Sequence, residues 1–554
     1  MPETPGTAER QQPEEAEAAG CPVEMWEGRR CGRLLYFPPA GVEAEWVCLM
    51  HSRDPDKDNE AFQKEIERIL DAAGDGFADF SNFVFPTAEY PGRDFKARCI
   101  FSMATFPQEA NFSRTKFTKG CYLSFATFTR RADFRGSTFT QEASFRETTF
   151  TQSADFAEVT FIQRANFFRA TFSQGANFYA AKFPQGADFC DAAFTQTAFF
   201  DGATFSRWAD FSEAKFTQGA SFNKATFTRV ADFGFATFTK GANFSGAKFW
   251  GKVDGQVTGY ADFRWATFLS RAAFRETEFR NDGNEVGAVF SLACFEKPEE
   301  VIFYKTYLGQ TLFHNCDVSR VVFSNVDWRK RPNGKRMVFE EVVNLEQLGG
   351  VVDSSRHTVA GELRATQGSA DERDYRLIAE LYQQLKRNYD DRKDYWTAGD
   401  FHYGEMEMKR LSSHRHNRVL RWLKQTLGLT ALYKHASEYG ESYKRPAAWL
   451  GIFLLLFMLA YPDVGLQHTD GIPTPTSEIH YKNFFQFLEE HPKGACAFFG
   501  HSLMTALSVM ALQRELEYQP VYPWGRPLLT VFELVLSYIL IALFLLAVRR
   551  QFRR

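Results

Sequence analysis

From Phe106 to Phe249 a phenylalanine stands every eleven residues, at Phe106, Phe117, Phe128, Phe139 and onward, and a second series ending at Phe244 runs between them through Phe134, Phe145 and Phe156. The combined spacing alternates five and six. An amphipathic helix repeats every three or four residues and a lone strand every two, so neither accounts for it. Two positions before most of these rings stands a small residue, as at Ala132, Ala187 and Ala225. Positions i−2 and i share one side of an extended chain, so each unit reads as a very short strand that buries a small and a large residue. The residue between them faces out. Strands this short cannot bury a face alone, so the units must stack into a solenoid.

The triplets ADF, ANF and ASF resemble the pentapeptide-repeat family, whose motif is a central Phe or Leu with Ala two before it and Asp or Asn one before it. The resemblance covers roughly residues 101 to 330 and implies a mainly β fold, a right-handed quadrilateral β-helix with four units per coil. It implies about 22 residues per coil where units alternate, and about 20 from Phe303 through Leu308, Phe313, Val318, Phe323 and Trp328, where the spacing is strictly five. Roughly ten coils at about 4.8 Å each give a rod on the order of 50 Å long. Stacked rings, each contributing about 2–3 kcal/mol by burial, explain the 59 phenylalanines without any binding role. The stretch GKVDGQVTGY at 251–260 breaks the phase and is expected to be a loop extruded from one corner. Asp133, Asp155 and Asp210 recur coil after coil, as turn hydrogen bonding requires.

Charge argues against a nucleic-acid partner or its mimicry. The net charge is −3, and residues 101–280 carry 21 Lys and Arg against 16 Asp and Glu, an excess of five positive charges. Some members of the family it resembles are acidic rods that imitate DNA; this rod is mildly basic.

The C-terminus belongs to another class. AAWLGIFLLLFMLAY (447–461) and PLLTVFELVLSYILIALFLLAV (527–548) are apolar runs, the second long enough to span a bilayer and the first borrowing flanking residues. Lys444 and Arg445 precede the first, and Arg549, Arg550, Arg553 and Arg554 follow the second, so both ends are expected in the cytoplasm of a bacterial inner membrane. Between them AFFGHSLMTALSVMAL (497–512) is too short to span and reads as a re-entrant or interfacial helix. The order span, half-helix, YPWGR turn, span is similar to the two-helix pore module of potassium-channel-like proteins. The chain departs from it after Thr505, where ALSVMALQ offers no glycine-containing carbonyl filter. His501, Thr505, Ser508 and Glu533 are the polar candidates for a membrane path. Glu533 either lines a cavity or pairs with Arg514 or Arg526, or it reaches interfacial water from two turns inside its span. Upstream, RHNRVLRWLKQTLGLTALYKH (415–435) sets Arg418, Arg421 and Lys424 among Leu420, Trp422, Leu423 and Leu427, the pattern of a helix lying on an anionic leaflet.

Tyr382, Leu385, Tyr389 and Ala398 fall at a spacing that resembles one tetratricopeptide-like helical hairpin. One hairpin is too few for an array, so it is expected to cap the rod or to bind a partner. At the other end, Cys21, Cys31, Cys48 and His51 lie within about 30 residues. They suit a tetrahedral structural zinc, the alternative being ordinary reduced thiols. The remaining cysteines lie far apart and read as packing residues. The sequence lacks a phosphate-binding loop, an HExxH and a dinucleotide fingerprint, so no enzymatic activity or small-molecule substrate is expected.

The expected organisation is an acidic tail (1–20), a Cys/His module (21–75), the β-helix (76–345), a linker (346–372), the hairpin (373–412), a basic juxtamembrane helix (413–440) and a two-span membrane module (441–554). Two functional readings follow. In one, a homo-oligomeric channel-like module conducts ions or signals under control of the rod. In the other, the module is a non-conducting anchor and the rod is a scaffold for a protein partner.

Overall fold

The computed structural model describes residues 20–37, 46–253, 256–281, 285–342, 375–412, 418–469, 478–490, 492–511, 513, 516, 518–520 and 525–552. The acidic tail and the linker expected at 346–372 lie outside these residues, apart from Gly20. The chain divides into two compact units, Met1–Ala370 and Asp371–Arg554.

The first unit is a parallel solenoid. Two- to five-residue strands form four sheets of eleven, eleven, nine and seven strands, giving about eleven turns, one more than the ten or so expected. Register follows the 22-residue period: Ala132 pairs with Ala154, Thr138 with Thr160 and Ala143 with Ala165. Each ring therefore lies over the ring 22 residues away. Phe134 and Phe156 stack at 4.9 Å with planes 1° apart, and Phe172 and Phe194 do the same. Rings on opposite faces meet edge-on, as Phe189 and Phe200 do at 5.4 Å and 85°. Both arrangements suit the aromatic quadrupole.

The five/six alternation is an alternation of corners. After Phe112 the chain turns in five residues through Arg114 at φ +55°, and after Phe117 it turns in six to Leu123. Asp or Asn sets up the tight corner by accepting from the backbone N–H two residues on: Arg135 to Asp133 at 3.0 Å, Ala157 to Asp155 at 3.2 Å, Ser212 to Asp210 at 2.9 Å. These bonds offset part of the cost of a left-handed residue with a side chain. The 251–260 insertion is an antiparallel hairpin, Gly251–Val253 with Gln256–Thr258, beyond which the coil closes with Val230 beside Tyr260. Its extrusion matches the sequence reading.

Helix α1 (Asn59–Ala73), capped by Asp58, covers the first coil by laying Phe62 against Phe83 and Phe85. At the far end, Phe339 is buried and Glu340 accepts the Phe313 N–H at 2.5 Å.

The second unit is helical. α2 (Tyr375–Asp391) and α3 (Tyr395–Leu411) form the expected hairpin, with Tyr382 and Tyr389 against Phe401. It belongs to this unit, not to the solenoid's: Glu407 on α3 reaches Lys434 at 2.9 Å and the Tyr439 hydroxyl at 2.9 Å. α4 (Arg418–Leu427) and α5 (Leu429–Ser437) follow, then α6 (Lys444–Val464), α7 (Tyr481–Glu490), α8 (Ala495–Met510) and α9 (Gly525–Phe552). Among the described residues α6 and α9 are the two helices long and apolar enough to cross a membrane. α6 extends three residues beyond each end of the apolar run and reaches about 31 Å at 1.5 Å per residue. The two run antiparallel, since Arg550 near the end of α9 bonds Glu441 before α6, while Tyr461 near the end of α6 meets Glu533 near the start of α9. α8 packs into their junction through Phe498 and Ala506.

Candidate functional site

The cysteine–histidine cluster forms because the nine-residue gap between Cys21 and Cys31 is a hairpin. Cys31 N–H donates to Val23 O at 2.8 Å, Gly32 N–H to Cys21 O at 3.0 Å and Cys21 N–H to Arg33 O at 2.8 Å, around a turn at Trp26–Gly28. Gly20, at φ +67°, must be glycine there: a Cβ would lie 2.7 Å from the Gly32 carbonyl oxygen. Cys48 and His51 enter from a second turn, closed by His51 N–H to Cys48 O at 3.0 Å.

The four ligand atoms lie within 4.8 Å of one another. Cys31 and Cys48 Sγ are 3.7 Å apart, and His51 Nδ1 lies 3.4 Å from Cys21 Sγ and 3.1 Å from Cys48 Sγ. A tetrahedral ion with metal–sulfur bonds of about 2.3 Å and a metal–nitrogen bond of about 2.0 Å needs S–S edges near 3.8 Å and S–N edges near 3.5 Å. The Cys31–Cys48 and Cys21–His51 edges lie close to those values, and the Cys48–His51 edge is shorter. Outer contacts orient the ligands: His51 Nε2 faces Ser81 O at 3.3 Å, leaving Nδ1 toward the sulfurs, and Arg33 donates to Cys31 Sγ at 3.2 Å while bonding Glu65 at 3.0 Å. The hydrogen bond between Cys31 and Cys48 lowers the pKa of the first and raises that of the second, so the two thiols share a proton that a bound metal would displace. This Cys3His cluster can bind a metal ion. All four sequence candidates converge; Arg33, Glu65 and Ser81 were missed, and only Arg33, two residues from Cys31, carried any local signal.

Between the two long apolar helices, Glu533 is 1 % exposed and accepts a hydrogen bond from the Tyr461 hydroxyl. That partner stands 72 positions away; the side chains of Arg514 and Arg526, the partners considered from sequence, lie outside the described residues. Thr505 is buried and donates to His501 O at 2.9 Å, and Ser502 leans on Phe498 O at 3.5 Å. The His501 ring lies 4.6 Å from the Tyr518 ring, and Ser508 is half-buried on α8. The outward surfaces of the spans are Ile452, Leu455, Leu456 and Leu459 on α6, and Val531, Val535, Ile539 and Leu545 on α9. Lys424 is exposed on α4 beside exposed Trp422 and Leu423; the side chains of Arg418 and Arg421 lie outside the described residues.

No curated protein and no solved structure matches the chain. The match is to a family described as pentapeptide repeats in nine copies, over residues 126–171 and 200–248. Both stretches fall within the ring ladder and the two-corner coil, and over these residues the coils of the solenoid are pentapeptide repeats.

Proposed function

We propose that this chain is a membrane-tethered, non-conducting scaffold whose solenoid presents a rigid surface to a protein partner in the cytoplasm of a bacterium. The observation that carries this reading is the use of polar groups in the membrane module. Glu533 is bonded by Tyr461, Thr505 and Ser502 turn back onto their own helix, and the outward surfaces of α6 and α9 are apolar, aliphatic and aromatic, with the ring of Tyr538 among them. A water-filled path needs polar groups facing it, and a carbonyl filter needs glycine, which is missing between Met510 and Tyr518. The basic residues at the outer ends of the spans support cytoplasmic termini, and exposed Trp422, Leu423 and Leu427 beside Lys424 support contact of α4 with the leaflet.

A second reading, conduction through a homo-oligomer of the channel-like module, is favoured by Glu533 Oε1, which is buried and has no partner among the described residues. Reconstitution into liposomes with a cation-flux assay decides between them. The scaffold gives flux no greater than empty liposomes, unchanged in Glu533→Ala; a leak abolished by that substitution establishes the pore.

The ion of the N-terminal centre is zinc on this reading, because three thiolates and an imidazole in tetrahedral array leave no open position and suit a structural d10 ion. Elemental analysis of the purified full chain should give one equivalent of zinc, lost in the Cys31→Ser/Cys48→Ser double variant. Zinc retained by that variant, or its absence from both proteins, would refute the assignment.

A further inference from the structure

Each coil of the solenoid turns two tight corners through a left-handed residue, and these corners lie diagonally across its section. On one of them every such residue from Arg114 to Glu276 is Arg, Gly, Glu, Ala or Lys. The other differs. Along the rod it holds Met103 and Phe125, then Glu147 and Arg169, then Asp191 and Glu213, then Phe235 and Trp265, all at φ between +53° and +61°. Backbone N–H groups link them coil to coil, as Phe125 donates to Arg146 O and Arg169 to Cys190 O, so they form one column.

Two features of this column point to a partner. The first is the character of its ends. Met103, Phe125, Phe235 and Trp265 are 55, 45, 50 and 42 % exposed, and the last two rings stack on each other at 5.9 Å with planes 4° apart. A bulky side chain in the left-handed region is strained, and an apolar one left in water gains no burial to offset that strain. The opposite corner shows that the turn itself does not require such residues.

The second is their order. Both ends of the column run inward from two apolar residues through an acid, and the centre holds one cation and one anion, Arg169 and Asp191. A second copy turned end for end about an axis between those two residues sets Met103 against the partner's Trp265 and Phe125 against the partner's Phe235, which is the self-complementarity a two-fold contact needs. Arg169 and Asp191 bond each other at 3.0 Å, so the two copies of this pair close a square of alternating charge, with Lys215 at 3.2 Å from Asp191 beside it. One meeting is unfavourable. Glu147 faces the partner's Glu213, offset in part by Arg146 at 3.0 Å from Glu147.

The face beside the column supplies the rest of the footprint. Its outward residues from Thr105 to Thr267 are threonine at six of eight coils, and Lys215 alone among them is charged. The column is about 34 Å long at about 4.8 Å per coil. That length suits a contact at the small end of specific interfaces, about 1,200 Å² in all.

We propose that the solenoid pairs with a second copy of itself, antiparallel, along this corner. Sedimentation equilibrium of the full chain in density-matched detergent reads the association. Phe235→Asn/Trp265→Asn should raise the dissociation constant about 100-fold or more, with unfolding no easier than in the parent, because asparagine accepts the left-handed corner. Glu147→Lys should lower it about 5-fold by turning a like-charge meeting into an opposite one, and adding Glu213→Lys should undo the gain. Lys224→Ser, on the other corner, should change nothing. Register is read by cross-linking with a short bifunctional maleimide in a Cys190→Ser/Cys294→Ser/Cys496→Ser background. Thr127→Cys chains and Thr237→Cys chains should join when mixed, and neither should join to itself. Self-joining of either, no joining in the mixture, or a dissociation constant indifferent to either set of substitutions overturns the proposal.

Discussion

The two units of this chain reach a buried interior by opposite routes. In the solenoid every coil repeats one solution: Phe178, Phe189, Phe200 and Phe211 are each fully buried, each stacked on rings one coil above or below. Coils are interchangeable, and a residue's surroundings are known once its phase is known. In the C-terminal unit each solution occurs once. Glu407 gathers Arg410, Lys434 and Tyr439, and Glu533 meets Tyr461 across 72 positions. Redundant apolar contact spreads stability along a rod, whereas single polar clusters concentrate it.

The largest expected effect tests that redundancy. Phe189→Ala removes a ring held at 4.8 Å from Phe167 and 4.9 Å from Phe211, in a core without room to collapse. It should cost about 3–5 kcal/mol in urea unfolding. A loss below about 1 kcal/mol would show that neighbouring coils close over the gap and that the ladder is not the source of stability.

Glu407→Gln comes next, at about 2–3 kcal/mol, because Arg410 and Lys434 lose the charge they share in a partly buried site. Hydrogen exchange should quicken in α3 and α5 and stay unchanged in the solenoid; faster exchange throughout would make the two units one cooperative body.

Acid should act on the units with opposite sign. Against burial, Arg410 and Lys434 hold Glu407 down at about 2, so its contribution is present above the usual carboxylate range and is lost as pH falls from about 4 toward 2. Burial and the neighbouring Asp262 push Asp232 up to about 7, so folding disfavours its charged form. Its contribution is favourable below about pH 4 and declines as pH rises through 7. Asp232→Asn should therefore stabilise the solenoid by on the order of 1–2 kcal/mol at pH 8 and by almost nothing at pH 4, after allowing for solvent screening. Equal gains at both pH values would remove Asp232 from the account.

The smallest effect separates two kinds of glycine. Gly219→Ala should change stability by less than about 0.5 kcal/mol. Gly186→Ala should cost more than 1 kcal/mol, since Gly186 stands at φ +101° and a Cβ would lie 2.6 Å from the Trp208 carbonyl oxygen. Equal costs would mean that backbone angle does not decide where this solenoid needs glycine.

Much of the solenoid was legible because its contacts repeat at a fixed offset. With the four units per coil that the family resemblance implies, the repeat places Phe134 under Phe156, and even the 251–260 hairpin announces itself as a break in phase. The metal centre was legible in its ligand types but not in its geometry, since the nine residues between Cys21 and Cys31 look too long until they fold back on themselves. Glu533 could be singled out as costly in a span, but its partner could not be named, because a tyrosine among apolar residues carries no mark of which carboxylate it will meet.

Sequence alone determined everything here that is periodic or compositional: the stacked rings, the two corner lengths, the pair of apolar helices and the presence of three thiols with one imidazole. These follow from burial and backbone geometry acting on near neighbours or at constant spacing. Only the tertiary structure decided which polar groups answer one another, as Tyr461 does Glu533 and Ser81 does His51. Pairings at irregular separation depend on how the chain closes in three dimensions, and no local rule encodes them.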